Sequence, residues 1–219
     1  MLKKIKMVKA LMYTKTGVKK GEIELPKSLF GVMPNPFVIA QAVRVSLINR
    51  RQGTRCTKGR GDLHYSGKKI YRQKHTGGAR HGDRTAAGFR KGAKAHGPKP
   101  RIFEAAIPGK IKGSAMLSAL STIAEGKRVK VIDSLNFEKP KLTQKALKIL
   151  EKIGFDKGLI IYSNIDKNVR LALRNLQQYV LKTAKDVSFY DVVKCGRLLI
   201  TSEALKDLEK RYKQLKQNK

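Results

Sequence analysis

The chain has 219 residues, with 49 lysines and arginines against 16 aspartates and glutamates, and a net charge of +33. A chain this basic repels itself unless counterions or a polyanionic partner neutralise it, so nucleic acid is the leading expectation and an anionic membrane surface a distant second. Two widely separated cysteines, Cys56 and Cys195, without any CxxC spacing argue against a disulfide framework and a structural zinc site, and no apolar run approaches a membrane span.

The opening MLKKIKMVKALMY is basic but lacks the uninterrupted apolar run of a secretory signal, so a soluble, unexported protein in a reducing compartment is expected. Ile5 to Tyr13 alternates as a first strand does, Thr14 to Lys20 reads as a turn containing Gly17, and Glu22 to Leu25 as a short extended piece before Pro26. After the breaker Pro34-Asn35-Pro36, residues Ile39, Ala42, Val43, Ser46 and Leu47 recur at helical spacing. Asn35 is suited to the N-cap and Pro36 to the first turn.

This helix runs into the most unusual part of the chain, Asn49 to Arg101. Sixteen basic residues face only Asp62 and Asp83 there, a local charge of +14, and ten of the 19 glycines are gathered in it. Large apolar side chains are reduced to Leu63, Ile70 and Phe89 plus two tyrosines. Such a segment buries too little surface to offset its ordering entropy, so it is expected to be disordered alone and ordered by a polyanion.

Beyond Arg101 the composition becomes ordinary. The pattern predicts a helix over Ser114 to Ala124, a strand over Arg128 to Ser134, and a helix over Thr143 to Ile153 capped by Thr143 and ended by Gly154. A strand follows at Leu159 to Tyr162, then a helix from Asp166 with Val169, Ala172, Leu173 and Leu176 on one face. A strand at Leu198 to Thr201 and a last helix with Leu205, Leu208, Tyr212 and Leu215 inward complete the chain. Short apolar strands separated by helices indicate βαβ units: an α/β fold with a mostly parallel sheet and helices on both faces, and no internal repeat. The expected organisation is one globular domain formed by residues 1–48 and 102–219, interrupted by a long basic loop over 49–101. Insertions of that length without secondary structure are usually functional.

The loop alternates cations with glycine and planar side chains. Arg50, Arg51, Gln52, Arg55, Lys58, Arg60, Lys68, Lys69, Arg72, Lys74, Arg80, Arg84, Arg90, Lys91, Lys94, Lys99 and Arg101 are the candidate RNA-binding residues. Arg and Lys neutralise phosphates and glycine lets the backbone approach them. Tyr65, Tyr71, His75, His81 and Phe89 offer faces to unstacked bases. The alternative is a solvated linker, which the density of Arg and the interleaved Gln, His and Tyr disfavour.

Read together, RRQGTRCTKGRG (Arg50 to Gly61), SGKKIYRQKHTGGARHGDR (Ser66 to Arg84) and HGPKPR (His96 to Arg101) resemble the hallmark loop of the large-subunit ribosomal protein four family, bacterial type. The resemblance extends over the whole chain through GEIELPKSLF, LSALS, VIDSL, RNL at Arg174 to Leu176, and LLITSEAL. It implies a Rossmann-like globular domain, a structural role in the large subunit, binding to large-subunit rRNA, support of assembly, and a loop whose tip lines the polypeptide exit tunnel. It also implies ribosomal protein twenty-two and the nascent polypeptide as neighbours, and a cytoplasmic ribosomal location, with an organellar source left open. No cofactor, membrane or obligate homo-oligomer is implied.

The implied tunnel-lining tip is Lys69, Ile70, Tyr71, Arg72, Gln73, Lys74 and His75. The motif matches at Gly67, Lys68, Lys69, Arg72, Gln73, Lys74, Thr76, Gly77, Ala79 and Arg80. It departs at Ile70 for Pro, Tyr71 for Trp, His75 for Gly and Gly78 for Arg.

The alternative from another class is a nucleic-acid-processing enzyme with the basic stretch as substrate clamp. Gly77 to Gly82 satisfies the GxxxxG half of a P-loop, but Asp83 and Arg84 stand where Lys and Ser or Thr are required, and no strand is predicted before it. His64, His75, His81, His96 and Cys56 share the stretch in no metal-ligand spacing and with no carboxylate constellation, so neither metal nor catalytic residues are expected. Cys195 reads as a small core residue. Arg174 and Asn175 suit either RNA contact or bracing of a helix end.

Overall fold

The computed structural model describes residues 8–135, 142–164 and 166–217, with side chains described through 212. The chain divides into two compact units, Met1–Leu47 with Ala106–Lys219, and Ile48–Ala105.

The first unit is an open six-stranded sheet of order β2-β1-β3-β6-β4-β5. Its strands are β1 (Lys9–Tyr13), β2 (Lys19–Glu24), β3 (Val129–Ile132), β4 (Gly158–Tyr162), β5 (Tyr179–Thr183) and β6 (Leu198–Thr201). The β1–β2 hairpin is antiparallel and turns at Gly17, whose φ of 81° suits a residue without Cβ. All other neighbours pair in parallel. The α/β class expected from the alternation of strands and helices is therefore the fold observed.

The helices are α1 (Lys27–Phe30), α2 (Pro36–Asn49), α3 (Gly109–Glu125), α4 (Leu142–Ile153), α5 (Lys167–Arg174), α6 (Phe189–Cys195) and α7 (Ser202–Gln217). Successive strand residues point to opposite faces. Leu159, Ile161, Leu198 and Ile200 thus join α1, α3, α6 and α7 in one cluster, while Ile160 and Leu199 join α4 and α5 in another. Both faces are covered, which is why these strands are continuous apolar runs rather than alternating ones. Lys130 is the polar exception on β3. Its ammonium donates to the carbonyls of Ile153 (2.6 Å) and Gly154 (2.8 Å), closing the end of α4, and partial burial lowers its pKa.

At α2 the sequence reading holds in detail. Asn35 Oδ1 accepts from the backbone N–H of Phe37 (3.0 Å) and Val38 (3.4 Å), as an N-cap does. The first strand starts at Lys9; the expectation for Ile5 to Met7 lies outside the described residues, as does Leu215 among side chains. Leu205, Leu208 and Tyr212 are buried as expected.

Several expectations need correction. The turn before β2 ends at Val18, whose N–H returns to Thr14 Oγ1, because the strand already begins at Lys19. Helix α3 starts five residues before Ser114. Pro108 opens it, and Ile111 and Ala115 pack with Ala42 and Ile107, so burial overrides the poor propensity of Gly109 and Gly113. Thr143 is not a cap, since α4 begins at Leu142 and encloses it. Leu176 lies past the end of α5, in a turn that still packs against the α4–α5 cluster.

Strand β5 and helix α6 were not anticipated. β5 is an edge strand whose Lys182 breaks the apolar run, and α6 has seven residues, too few for a period to show. What could have revealed α6 is its ends: Ser188 and Asp191 form a reciprocal capping box, and Gly196 closes the helix with φ 65°. Cys195, in its last turn, is half-buried against the core, and burial raises its thiol pKa.

Candidate nucleic-acid interface

The second unit begins one residue before the basic stretch and ends four after it. Its two arms pair across the segment. Asn49 brackets the Ala105 backbone, donating to its carbonyl (3.1 Å) and accepting from its N–H (2.8 Å). Further in, the N–H of Arg101 donates to Gly53 O, that of Thr57 to Pro98 O, that of Lys94 to Lys58 O, and that of Ile70 to Gly82 O. Composition predicted no internal order, yet these cross-links, a 3-10 turn over Arg60–Asp62 and an inward-turned trio of Asp83, Thr85 and Ala93 supply it. Apart from the Asn49 side-chain amide, the pairing is made by backbone groups and so leaves little trace in side-chain composition.

Glycine makes the approach of the arms possible. Gly53 has φ 68°, and a Cβ there would stand 2.0 Å from the carbonyl oxygen of Arg101. A Cβ at Gly97 would stand 1.9 Å from Thr57 Oγ1.

Each of the seventeen sequence-predicted RNA-binding residues, from Arg50 to Arg101, is exposed. Of the three carboxylates in the unit, Glu104 is exposed near its end, whereas Asp62 and Asp83 are hydrogen-bonded within it. Asp62 accepts from the N–H of Gly59 at 2.9 Å. Asp83 Oδ1 lies 2.8 Å from Arg60 Nη2, and its Oδ2 accepts from Arg60 Nε (3.3 Å) and Thr85 Oγ1 (2.7 Å). Arg60, read from sequence as an RNA ligand, is thus also an internal brace, though its side chain remains 69% exposed.

The Arg60 and Thr85 hydrogen bonds hold the Asp83 carboxyl below its ordinary 3.8. A depressed carboxylate stabilises the folded form above the unfolded pKa, and that contribution is lost as pH falls through the folded value. Amide exchange at Ala93, whose N–H donates to Thr85 O, is expected to accelerate as pH is lowered past about 4, beyond the intrinsic pH dependence of exchange, and Asp83→Asn should remove the excess.

Between Ile70 and Gly82 the chain makes the turn that holds most of the implied tip. Lys69 Nζ donates to Gln73 Oε1 (2.6 Å), and the Tyr71 hydroxyl donates to Ala79 O. Tyr71 meets His81 edge-on at 6.2 Å, and His81 lies 4.8 Å from Phe89, so three of the planar side chains read as base platforms pack on one another. His75 has φ 62°, the left-handed conformation a glycine adopts without strain. His75→Gly is expected to slow amide exchange at Ile70 by up to about fivefold, because the left-handed cost of roughly 1–2 kcal/mol is partly offset by glycine's looser unfolded state.

One feature near the ends of the arms escaped the sequence reading. Phe103 carries the guanidinium carbons of Arg51 and Arg101 at 4.6 and 4.5 Å from its ring centre. An aromatic residue two positions beyond the last arginine was the available signal. Cys56 is exposed, and no cluster of three metal-ligating side chains exists among the described residues. Outside this unit, Arg174 is exposed in the last turn of α5 and Asn175 is its C-cap residue, the bracing position.

The arrangement is an outward array of cations on a glycine-permitted backbone, with Asp83 buried against Arg60 and Asp62 held by the Gly59 N–H, the chemistry of phosphate recognition. A model of the ribosomal protein L4/L1 family matches residues 23–211. The large ribosomal subunit protein uL4 of Thermoanaerobacter sp. (strain X514) is 38% identical over 206 residues, covering 94% of this chain and 100% of that protein. The protein of the same name from Beijerinckia indica subsp. indica is 39% identical over 199 residues (90% and 96%), and that from Desulforamulus reducens 36% over 203 (93% and 98%).

Proposed function

The chain belongs to the ribosomal protein L4/L1 family, and from that membership we propose that it is a structural constituent of the large ribosomal subunit that binds large-subunit rRNA through residues 48–105. The observation that carries the reading is the segregation of charge in that unit. Its sixteen cations face outward against three carboxylates, of which Asp62 and Asp83 are engaged internally and Glu104 lies exposed near the end of the unit, so an approaching phosphate meets little opposing charge. The role is structural and no reaction is assigned, so the substrate-clamp reading is set aside.

In the finer reading, the unit neutralises phosphates within folded rRNA and supports assembly, and Lys69 to His75 line the exit tunnel beside ribosomal protein twenty-two and the nascent chain. The hydrogen-bonded turn from Ile70 to Gly82, with exposed residues from Arg72 to Gly82, supports a tip of that kind. The bacterial sources of the relatives support a cytoplasmic ribosome as the location. Co-sedimentation with large ribosomal particles after a high-salt wash tests the coarse reading: retention is expected, and complete release overturns it. A photo-crosslinker at position 71 that captures a stalled nascent chain supports the finer one, and capture of distant rRNA only opposes it.

A further inference from the structure

We propose that the concavity where the arms of the second unit meet is a base-stacking site for unpaired RNA nucleotides, and that Arg51 and Arg101 act there as planar surfaces rather than as charges alone. The inference rests on the rRNA-binding reading and adds a specific subsite to it.

The concavity encloses about 900 Å³, enough for more than one nucleotide, and is lined by residues 51–55, 96–101 and Phe103. Four of the lining side chains, Arg51, Arg55, Lys99 and Arg101, are cationic, and none is acidic. Simple phosphate neutralisation would leave these cations on flexible stems in water. Instead the Arg51 and Arg101 guanidiniums both lie over the Phe103 ring, at 4.6 and 4.5 Å.

That contact restrains two long side chains that would otherwise lose rotamer freedom on binding, and guanidinium planes are surfaces on which unpaired bases stack. The backbone is set for the same purpose. The Arg101 N–H donates to Gly53 O, and the Gly53 conformation brings the arms close enough for residues 51 and 101 to share one ring. Arg55 and Lys99 line the same concavity, where the phosphates of stacked nucleotides would lie, and Gln52 offers a base edge both a donor and an acceptor.

The test separates stacking from charge. The full chain is titrated with a hexamer of single-stranded oligoadenylate and with the same backbone carrying abasic sites. Arg51→Lys with Arg101→Lys keeps every charge and removes both planes. The expected result is a loss of about tenfold in affinity for oligoadenylate, the scale of base stacking, with the salt dependence unchanged and the abasic strand bound as by the unaltered chain. Phe103→Leu, which removes the ring but fills its space, should give a smaller loss of the same kind.

Equal weakening toward both strands, or none toward either, overturns the inference while leaving salt-dependent RNA binding intact. Loss of salt-dependent binding in the unaltered chain instead overturns the rRNA-binding reading, and the stacking site falls with it.

Discussion

Raising monovalent salt from about 50 to 200 mM is expected to weaken binding of the full chain to a large-subunit rRNA fragment by about a thousandfold or more. A contact set of six to ten phosphates corresponds to losses of roughly 10³ to 10⁵ over that range. The second unit exposes sixteen cations, so that number of contacts does not require every cation to be used.

Each cation bound to a phosphate releases condensed counterions, and the logarithm of the affinity falls linearly with that of the salt concentration. Lys74→Gln or Arg90→Gln, at exposed positions, should each lower the slope by about one if that side chain meets a phosphate, and weaken binding to all sequences about equally. Arg60→Gln is expected to differ. It also removes the partner of Asp83 and loosens the unit, so amide exchange at Ala93 should rise together with the loss of affinity. An isotherm that barely responds to salt would remove the electrostatic account.

A second large effect is expected in the sheet unit. Phe155 is 2% exposed and sits directly after the α4 terminus at Gly154, with its N–H returning to Leu150 O. Its ring stacks on Tyr179 at 5.9 Å and 19°, and the Tyr179 hydroxyl donates to the Phe155 carbonyl at 2.8 Å. The pair ties the end of α4 to the start of edge strand β5, beyond which no further strand among the described residues supports the sheet.

Phe155→Ala should cost about 3 to 5 kcal/mol, the transfer energy of the ring plus the cavity it leaves between two parts of one close-packed cluster. In a unit of this size that is a fall in Tm on the order of 10 °C, measurable by circular dichroism. Phe155→Leu should recover part of it. A shift below about 2 °C for the alanine variant would mean that this corner of the core repacks or is already open.

Much of the architecture was legible along the chain because local sequence carries it. The apolar runs at Leu159 to Tyr162 and Leu198 to Thr201 mark strands covered on both faces, and Asn35 and Pro36 mark the start of α2. Where the reading failed, tertiary contacts outweighed local preference, as at Gly109 to Gly113 of α3, or the element was too short for a period, as in α6. The same division holds at the interface. The cations are evident from the sequence alone, whereas the brace of Arg60 on Asp83 and the meeting of Arg51 and Arg101 over Phe103 join residues up to 52 positions apart.

Net charge, its concentration between Arg50 and Arg101, the glycine spacing and the α/β class were thus readable without coordinates, because each is a property of single residues or of neighbours within one turn or strand. The strand order, the partition of the core between two sheet faces, the pairing of the two arms and the engagement of Asp62 and Asp83 inside the basic unit needed the folded chain. Those features depend on which distant segments meet, and that is settled by the joint satisfaction of buried surface and backbone hydrogen bonds rather than by any local pattern.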